Sequence, residues 1–431
     1  MIKKSLAVPK GQNRSARFRA ADLTDGKTFP ALTTLNLREE RGGLVAAEGS
    51  EFVADAPEGT EDIFVSPGKC YAFADNYMYI IENGETRGSA KVFTLPNEVG
   101  HYHTRIGNEV MYLLNDEHFM TFRPNSSSEP ANSIGGTSCT IVNDRFFCIN
   151  GLRLQYSGWL DSMDSWGVYN PMGAGIITLS DFAGKGLKLI GRNGYAYLFL
   201  EHDIWKLELL CEPSNFKIKE YYFSLDTVHG RSVVDFGDHI YFCTESGMFS
   251  FDGNKCTPVV NSVTDQVDFR EPVRACGAEG KYYATVIFRD GTRGMLVLDD
   301  RTAQAYRLDL GSPFINASYQ LHYLSDGKIY RFTGERGYPA GSSGKGVLDT
   351  GVFRPNPSGR FVLQAVKVEG EGSFRVEAAA EGHTAIEGPA NSRLVFAVPP
   401  RGETLSLRVT TSSKNARIAA ITLEFREVNN P

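Results

Sequence analysis

The chain has 431 residues, of which 42% are hydrophobic, and its formal net charge at pH 7 is −6. This length suits one large domain plus a smaller one with a substantial core. The excess of 51 Asp and Glu over 45 Lys and Arg removes any global electrostatic case for nucleic-acid binding. The 44 Gly, 19 Tyr and 27 Phe are typical of many short strands joined by tight turns, so the composition predicts an all-β fold.

The seven cysteines are odd in number and scattered, without a Cys-x-x-Cys pair. This pattern predicts that the cysteines are small buried hydrophobic residues in a protein that folds in a reducing cytoplasm. It does not predict a disulfide framework. No apolar run approaches the ~18 residues of a membrane helix, and the N-terminus lacks the apolar core of a signal peptide. We therefore expect neither a membrane segment nor secretion by a cleavable signal.

Residues 1–30 are interpreted as a basic N-terminal arm. The first 21 residues contain no acid and six cations, which are Lys3, Lys4, Lys10, Arg14, Arg17 and Arg19. A solvated terminus explains this composition, and so does an arm that orders against an acidic neighbour; an Arg-rich transit peptide is a third interpretation. The candidate interaction residues of the arm are Lys3, Lys4, Arg14, Arg17 and Arg19.

Residues 31–335 repeat one pattern of strand, turn, strand, turn and strand. Its clearest copy is Arg231–Gly253, where Gly237-Asp238 and Ser246-Gly247 separate three short apolar strands. The strand-centred aromatics of successive copies are Tyr79, Tyr112, Phe147, Tyr197, Tyr241, Tyr283 and Tyr323. Subtracting neighbouring positions gives gaps of about 33 to 50 residues, which bracket the period of propeller repeats. The pattern predicts a six- or seven-bladed β-propeller, with an N-terminal segment as a candidate for the closing strand.

A second, smaller unit is predicted after the repeats. Residues 336–352 are rich in Gly, Ser and Pro and are interpreted as a linker. Residues 353–431 contain about five segments in which apolar and polar residues alternate. This alternation predicts a small C-terminal β-sandwich that packs against the propeller.

The long irregular insertion 157–183 holds Trp159 and Trp166 among Asp161, Asp164 and Asp181. Aromatic rings that stack on sugars beside carboxylates would suit a glycan-binding site or, less well, a glycosidase. The alternative is that both tryptophans anchor a long connection and that the acids are solvated turn residues. The Ser-x-Asp-x-Gly-x-Thr-Trp turn of propeller sialidases is missing from the sequence, so the enzyme hypothesis is the weakest of the three.

Two further motifs are incomplete. His101 and His103 could face one side of a strand, but no third metal ligand follows at a recognisable spacing. The stretch 341–346 is similar to a phosphate-binding loop, yet Pro339 stands where its first glycine belongs and Gly346 replaces the magnesium-binding hydroxyl. We therefore expect no catalytic residue, no metal and no cofactor.

Several segments in the middle of the chain, read together, resemble the propeller proteins of tailed bacteriophages and prophages, which include the tail nozzle (tail tubular) proteins of short-tailed phages. The segments that carry the resemblance are Leu154-Gln-Tyr-Ser157, Asp164-Ser-Trp166, Gly186-Leu-Lys-Leu-Ile-Gly-Arg-Asn-Gly-Tyr-Ala-Tyr-Leu-Phe199, Asp203-Ile-Trp-Lys-Leu207, Gly230-Arg-Ser-Val-Val234 and Ile240–Gly253. In the C-terminal unit, Val366–Phe374 and Ile421–Arg426 fit the small β-module that often follows such propellers. The chain lacks the large insertions of many nozzle proteins.

The resemblance implies a structural, non-enzymatic virion protein that is made in the bacterial host cytoplasm and assembles into a homo-oligomeric ring at the tail. Its implied partners are other tail proteins, namely an adaptor above and fibres or a needle below. It also implies a passing contact with DNA in a channel. The glycan-binding propeller stays open as the alternative function.

Overall fold

A computed structural model describes most of the chain. The described residues are 13–19, 33–66, 69–92, 96–103, 109–123, 126–127, 131–132, 134–158, 166, 173–210, 212–221, 223–302, 304–310, 314–315, 321–355, 359–381, 386–389, 394–396 and 399–428. Within these ranges the regular structure consists of β-strands and three 3₁₀ turns, at Pro213–Asn215, Gly230–Ser232 and Thr264–Gln266.

The strands are numbered in chain order. They are β1 (Asn13–Arg19), β2 (Thr33–Leu35), β3 (Leu37–Glu40), β4 (Gly43–Ala46), β5 (Ser50–Asp55), β6 (Thr60–Ser66), β7 (Lys69–Ala74), β8 (Tyr77–Glu82), β9 (Glu85–Lys91), β10 (Glu98–His103), β11 (Glu109–Leu114), β12 (His118–Arg123), β13 (Ser126–Ser127), β14 (Ala131–Asn132), β15 (Ser138–Val142), β16 (Arg145–Asn150), β17 (Arg153–Tyr156), β18 (Gly175–Thr178), β19 (Gly186–Arg192), β20 (Tyr195–Leu200), β21 (Ile204–Glu208), β22 (Lys217–Glu220), β23 (Val234–Phe236), β24 (His239–Thr244), β25 (Gly247–Phe251), β26 (Cys256–Pro258), β27 (Arg274–Ala278), β28 (Lys281–Ile287), β29 (Arg293–Asp299), β30 (Gln304–Leu308), β31 (Phe314–Ile315), β32 (His322–Ser325), β33 (Lys328–Phe332), β34 (Gly346–Phe353), β35 (Arg360–Glu371), β36 (Arg375–Ala380), β37 (Ile386–Pro389), β38 (Leu394–Val395), β39 (Arg401–Gly402), β40 (Leu405–Thr411) and β41 (Arg417–Val428).

Seven small antiparallel sheets follow one another through the described part of the chain. Sheets I to VI are β6–β9, β10–β14, β15–β18, β19–β22, β23–β26 and β27–β30, and sheet VII is β31, β32, β33 and β5. Side chains of neighbouring sheets share apolar clusters. The protein is therefore an all-β propeller, as the repeats predict. The blade number stays a prediction.

The repeat signals coincide with this architecture. Tyr112, Phe147, Tyr197, Tyr241, Tyr283 and Tyr323 lie in the second strands of sheets II to VII, where all six are buried. Tyr79 lies in the third strand of sheet I rather than the second, which explains why the gap between Tyr79 and Tyr112 is the shortest in the series of central aromatics. The predicted turns Asn193-Gly194 and Asp326-Gly327 have positive φ at both positions, the conformation that two-residue hairpins require. The N-terminal strand β5 pairs with β33, so the predicted closing strand is confirmed.

Two larger sheets contain the C-terminal strands. One has the order β3-β4-β41-β35-β38, with β1 beside β41 and β39 beside β35, and the other has the order β2-β34-β40-β36-β37. Both contribute to one apolar cluster, in which Leu37, Phe361, Leu407, Val409 and Phe425 are buried. The predicted β-sandwich in this region stays a prediction.

Strand pairing departs from the predicted domain boundaries at three places. β1, within the predicted arm, pairs along β41. β2 to β4, predicted as the start of the propeller, pair with C-terminal strands, and β34 begins inside the predicted linker. The reason is that Phe18, Leu44 and Leu348 all contribute to the C-terminal apolar cluster. Alternation reveals that a segment is a strand, but it does not reveal the partner strand.

A buried carboxylate joins the C-terminal sheets to the propeller. Glu48 lies between β4 and β5 and is only 1% exposed. It accepts hydrogen bonds from the hydroxyls of Tyr283 at 3.2 Å and Tyr306 at 3.0 Å. It also contacts the ammonium of Lys281 and lies 3.2 Å from Nη1 of Arg38. Desolvation lowers the pKa of Lys281 to about 8, and the negative charge of Asp299 opposes this shift.

Replacing Glu48 tests this junction. Glu48→Ala removes the carboxylate that contacts buried Lys281 and one of the two that pair with Arg38, and we expect a loss of about 3–5 kcal/mol in the free energy of unfolding. The control is Glu51→Ala, three residues later, which removes an exposed ion pair with Arg331 and should cost about 1 kcal/mol or less. Urea titration followed by tryptophan fluorescence gives both values. Equal losses in the two variants would contradict a special role for Glu48.

Candidate functional site in the central pocket

The first strands of the sheets enclose a pocket of about 330 Å³ in the centre of the propeller. Its walls come from β6, β10, β19, β23 and β27, together with the 3₁₀ turn Gly230–Ser232. These strands approach one another closely. A Cβ on Gly277 of β27 would lie 3.0 Å from Cγ1 of Val234 on β23, so a larger residue there would have to displace this side chain by a few tenths of an ångström.

Three carboxylates in the pocket wall each pair with a cation from another sheet. Asp62 contacts Arg274, Glu98 lies 2.8 Å from Nζ of Lys188, and Asp235 lies 3.3 Å from Nη1 of Arg192. Because the pocket is partly enclosed, burial raises the pKa values of Asp62 and Asp235, while the paired arginines oppose this shift.

Two of these ion pairs join sheets that are not neighbours in the chain. Asp62 and Arg274 belong to sheets I and VI, with sheet VII between them in the ring. Glu98 and Lys188 belong to sheets II and IV, and Glu98 also accepts the backbone N–H of Cys139 in sheet III at 2.9 Å. Glu98 therefore joins the first strands of sheets II, III and IV, and the Asp62–Arg274 pair joins those of sheets I and VI.

Arg231 is the remaining charged residue of the pocket. It is exposed to the pocket, and none of the described carboxylates lies within ion-pair distance of it. Desolvation, followed by the positive charge of Arg274, lowers the pKa of Arg231. The negative charges of Asp62 and Asp116 oppose this shift, so Arg231 is partly compensated without a direct ion pair among the described residues.

The predicted arm residues have partners within the same chain. Arg14 forms an ion pair with Glu427 at 2.9 Å, and Arg17 forms one with Glu369 at 2.6 Å. Arg19 pairs through its backbone with Ala420 of β41. Lys3 and Lys4 lie outside the described residues.

The predicted sugar-binding residues are described only in part. Trp166 packs edge-on against Phe119, with ring centroids 5.1 Å apart, and contributes to the apolar cluster around Tyr112. Asp181 is exposed. Trp159, Asp161 and Asp164 lie outside the described residues, so the glycan-binding and glycosidase hypotheses stay predictions.

The described residues complete neither of the two incomplete motifs. His101 and His103 lie on β10, and their side chains are outside the described part of the chain. In the glycine-rich stretch, the N–H of Ser343 donates to Oδ2 of Asp309 at 2.9 Å, so this amide faces a carboxylate rather than an open anion site. Among the described residues, no cluster of three or more His, Cys, Asp or Glu could hold a metal ion. No helix within the described ranges is long and apolar enough to cross a membrane.

Sequence reasoning missed the residues that form the pocket. Asp62, Glu98 and Arg231 stand in ordinary strand or turn contexts, and each meets residues far away in the sequence. The one available signal is the position of charged residues in or beside the first strand of a repeat, the strand that lines the axis of a propeller.

The thiols provide a test of the prediction that no cysteine acts as a nucleophile. Burial raises the pKa values of Cys70, Cys243 and Cys256 to about 12, so at pH 8 only about one thiol in ten thousand is ionised. We expect iodoacetamide to label Cys70 and Cys243 in urea but not in the native protein, with the half-buried Cys256 reacting first. Peptide mapping by mass spectrometry measures each site. Rapid native labelling of Cys243 would contradict the prediction.

No protein-family model and no curated protein matches the sequence. Solved structures do match. The Neurospora crassa Pan2 WD40 domain has a TM-score of 0.44 at 8% identity, covering 66% of this chain and 94% of that chain. BBS1N in complex with ARL6DN has a TM-score of 0.43 at 8% identity, with the same two coverages. BamB from Moraxella catarrhalis has a TM-score of 0.40 at 10% identity, covering 70% of this chain and 97% of that chain. These likenesses concern the propeller fold alone.

Proposed function

We propose that this protein is a structural component of a phage or prophage virion. In this proposal it is a nozzle-like tail protein without catalytic activity that is made in the bacterial cytoplasm. It forms a homo-oligomeric ring and contacts other tail proteins, such as an adaptor, a fibre or a needle. The phage assignment rests on the sequence resemblance. The exposed apolar side chains described next support a role in contacts with other proteins.

The observation that supports assembly is the exposure of large apolar side chains on outermost strands. Ile176 on β18 is 56% exposed, and Ile218 on β22, in the adjoining sheet, is 38% exposed. Phe52 on the closing strand β5 is 53% exposed. Apolar side chains that face water on the rim of a sheet are typical of protein contact sites. The rim at sheets III and IV is therefore the surface that we assign to a neighbouring subunit.

Because ion pairs cross the centre of the propeller, we infer that DNA would pass between subunits rather than through one propeller. Ion pairs join sheets I and VI, and sheets II and IV, so the axis of a single propeller leaves no room for a duplex. A passing contact with DNA, which the proposal includes, would then occur at the opening enclosed by several subunits.

The basic N-terminal strand is assigned a role within its own chain. Phe18 of β1 packs edge-on against Phe353 of β34, with ring centroids 6.3 Å apart, while Arg14 and Arg17 pair with Glu427 and Glu369 of the adjoining strands. Removing this strand would open the C-terminal cluster as well as remove charge. Point variants on the rim are therefore a cleaner test of assembly than a truncated chain.

Mass photometry of the full-length protein tests the ring. We expect a discrete species of several subunits that gives way to monomer on dilution. Ile176→Asp combined with Ile218→Asp should weaken association at least about tenfold, because burying each such side chain contributes about 1.5–3 kcal/mol. The matched control is Thr86→Asp on β9, which is also exposed and outermost but polar.

The virion assignment has a separate test. Mass spectrometry of purified particles, from the phage or induced prophage that encodes the protein, should detect it in fixed proportion to other tail proteins. Its absence from the particles would overturn the virion role. A monomer at every concentration and salt would instead overturn self-assembly of the ring.

A further inference from the structure

Two cysteines face each other across neighbouring strands of sheet III. Cys139 on β15 is paired with Cys148 on β16, and both side chains are buried in the apolar cluster around Tyr112. We propose that Cys139 and Cys148 are a reversible redox site, in which hydrogen peroxide converts the two thiols into a disulfide. This inference does not depend on the proposed virion role. None of the other described cysteines faces a cysteine across a paired strand; they are Cys70, Cys243, Cys256 and Cys276.

Hydrogen bonds to sheet II show which kind of cross-strand position the two cysteines occupy. The N–H of Cys139 donates to Oε2 of Glu98 at 2.9 Å, and its carbonyl accepts the hydroxyl of Tyr112 at 3.4 Å. Both backbone groups of Cys139 therefore point towards sheet II and away from β16. In an antiparallel pair this is the arrangement of a non-hydrogen-bonded position, where the opposing side chains approach each other most closely.

The spacing at this position suits a disulfide. The Cα atoms of a non-hydrogen-bonded pair are about 4.5 Å apart, and disulfides span Cα separations of about 4.4–6.8 Å. Opposing side chains lie on the same face of the sheet, so both thiols enter the same apolar cluster. Burial raises the pKa of Cys139, and its hydrogen bond with Cys148 raises it further. The two sulfur atoms are therefore already in contact in the reduced protein.

The reaction balances with hydrogen peroxide as the oxidant. The thiolate of one cysteine attacks a peroxide oxygen, the O–O bond breaks, and a sulfenic acid and a hydroxide form. The thiolate of the second cysteine then attacks the sulfenic sulfur, so that the S–S bond forms, the S–O bond breaks and a second hydroxide leaves. The two thiol protons convert both hydroxides into water. A dithiol such as dithiothreitol reverses the reaction by thiol–disulfide exchange.

Burial determines which oxidants reach the pair and how fast they react. Because only the thiolate is nucleophilic, the raised pKa of Cys139 keeps the reaction slow at neutral pH. Glu98, which accepts the N–H of Cys139, lines the central pocket, so the pair lies directly behind the pocket wall. Hydrogen peroxide is neutral and hardly larger than water, whereas a peptide disulfide such as oxidised glutathione is bulky and charged. We therefore expect a slow reaction that is selective for small peroxides.

Peptide mapping without reductant tests the site in the full-length protein. The native protein is treated with hydrogen peroxide, and its remaining thiols are then blocked in urea with N-ethylmaleimide. Trypsin cleaves after Arg145, between the two cysteines, so a bridge joins peptide 146–153 to the peptide that contains Cys139. We expect this linked pair as the main oxidation product, about 2 Da lighter than the two free peptides together, and its loss with dithiothreitol. Cys148→Ala should abolish the linked pair, whereas Cys276→Ala, at a buried strand cysteine that faces Tyr283, should not.

Three results would overturn the proposal. They are the absence of the linked pair from the peroxide-treated native protein, an equal yield of links that involve the other cysteines, and conversion of Cys139 or Cys148 to a sulfinic acid in place of the bridge. If Cys148→Ala fails to fold by circular dichroism, the map of the wild type still decides, because it identifies both linked residues directly. A protein that stays monomeric or is missing from particles would leave this result unchanged.

Discussion

The buried carboxylate of Glu48 is the constraint on which the rest of the structure depends. It lies where the chain leaves β4 in a C-terminal sheet and enters β5, the strand that closes the propeller. Tyr283, Tyr306 and Lys281 of sheet VI all bind it. Burial raises the pKa values of both tyrosines, so they remain protonated donors to the carboxylate. The bonds to Glu48 therefore position the closing strand and, at the same time, attach the C-terminal sheets to sheet VI.

A second buried polar residue, Asn36, also joins the C-terminal sheets to the propeller. Asn36 is fully buried, donates to Asp309 at 2.7 Å and to the carbonyl of Lys345 at 2.8 Å, and accepts the N–H of Asp309 at 3.0 Å. It thus joins the segment between β2 and β3 to the end of β30 in sheet VI and to the residue before β34. Because unpaired polar groups at this depth are costly, the two parts of the protein have one favourable arrangement.

The local features of the fold could be predicted from the sequence, and the long-range contacts could not. Strands, hairpin turns and the repeating central aromatics depend on neighbours in the chain, and Tyr112 and Tyr283 lie in the second strands of their sheets. Asp62 and Arg274, in contrast, are 212 positions apart and meet only because a ring of sheets closes. The same is true of Glu48 and its partners. The sequence also did not predict that β2 pairs with β34, which begins inside the predicted linker.

Charged side chains near the propeller axis and exposed apolar side chains on the rim have different roles. At the axis, ion pairs are partly desolvated, and removing one partner leaves a charge that water cannot fully compensate. These residues therefore fix the mutual position of the first strands. On the rim, side chains such as Ile176 and Ile218 contribute little to the fold, because they are largely exposed. Side chains on the rim can therefore change without disturbing the axis, so the proposed assembly surface is physically separate from the ion pairs that position the first strands.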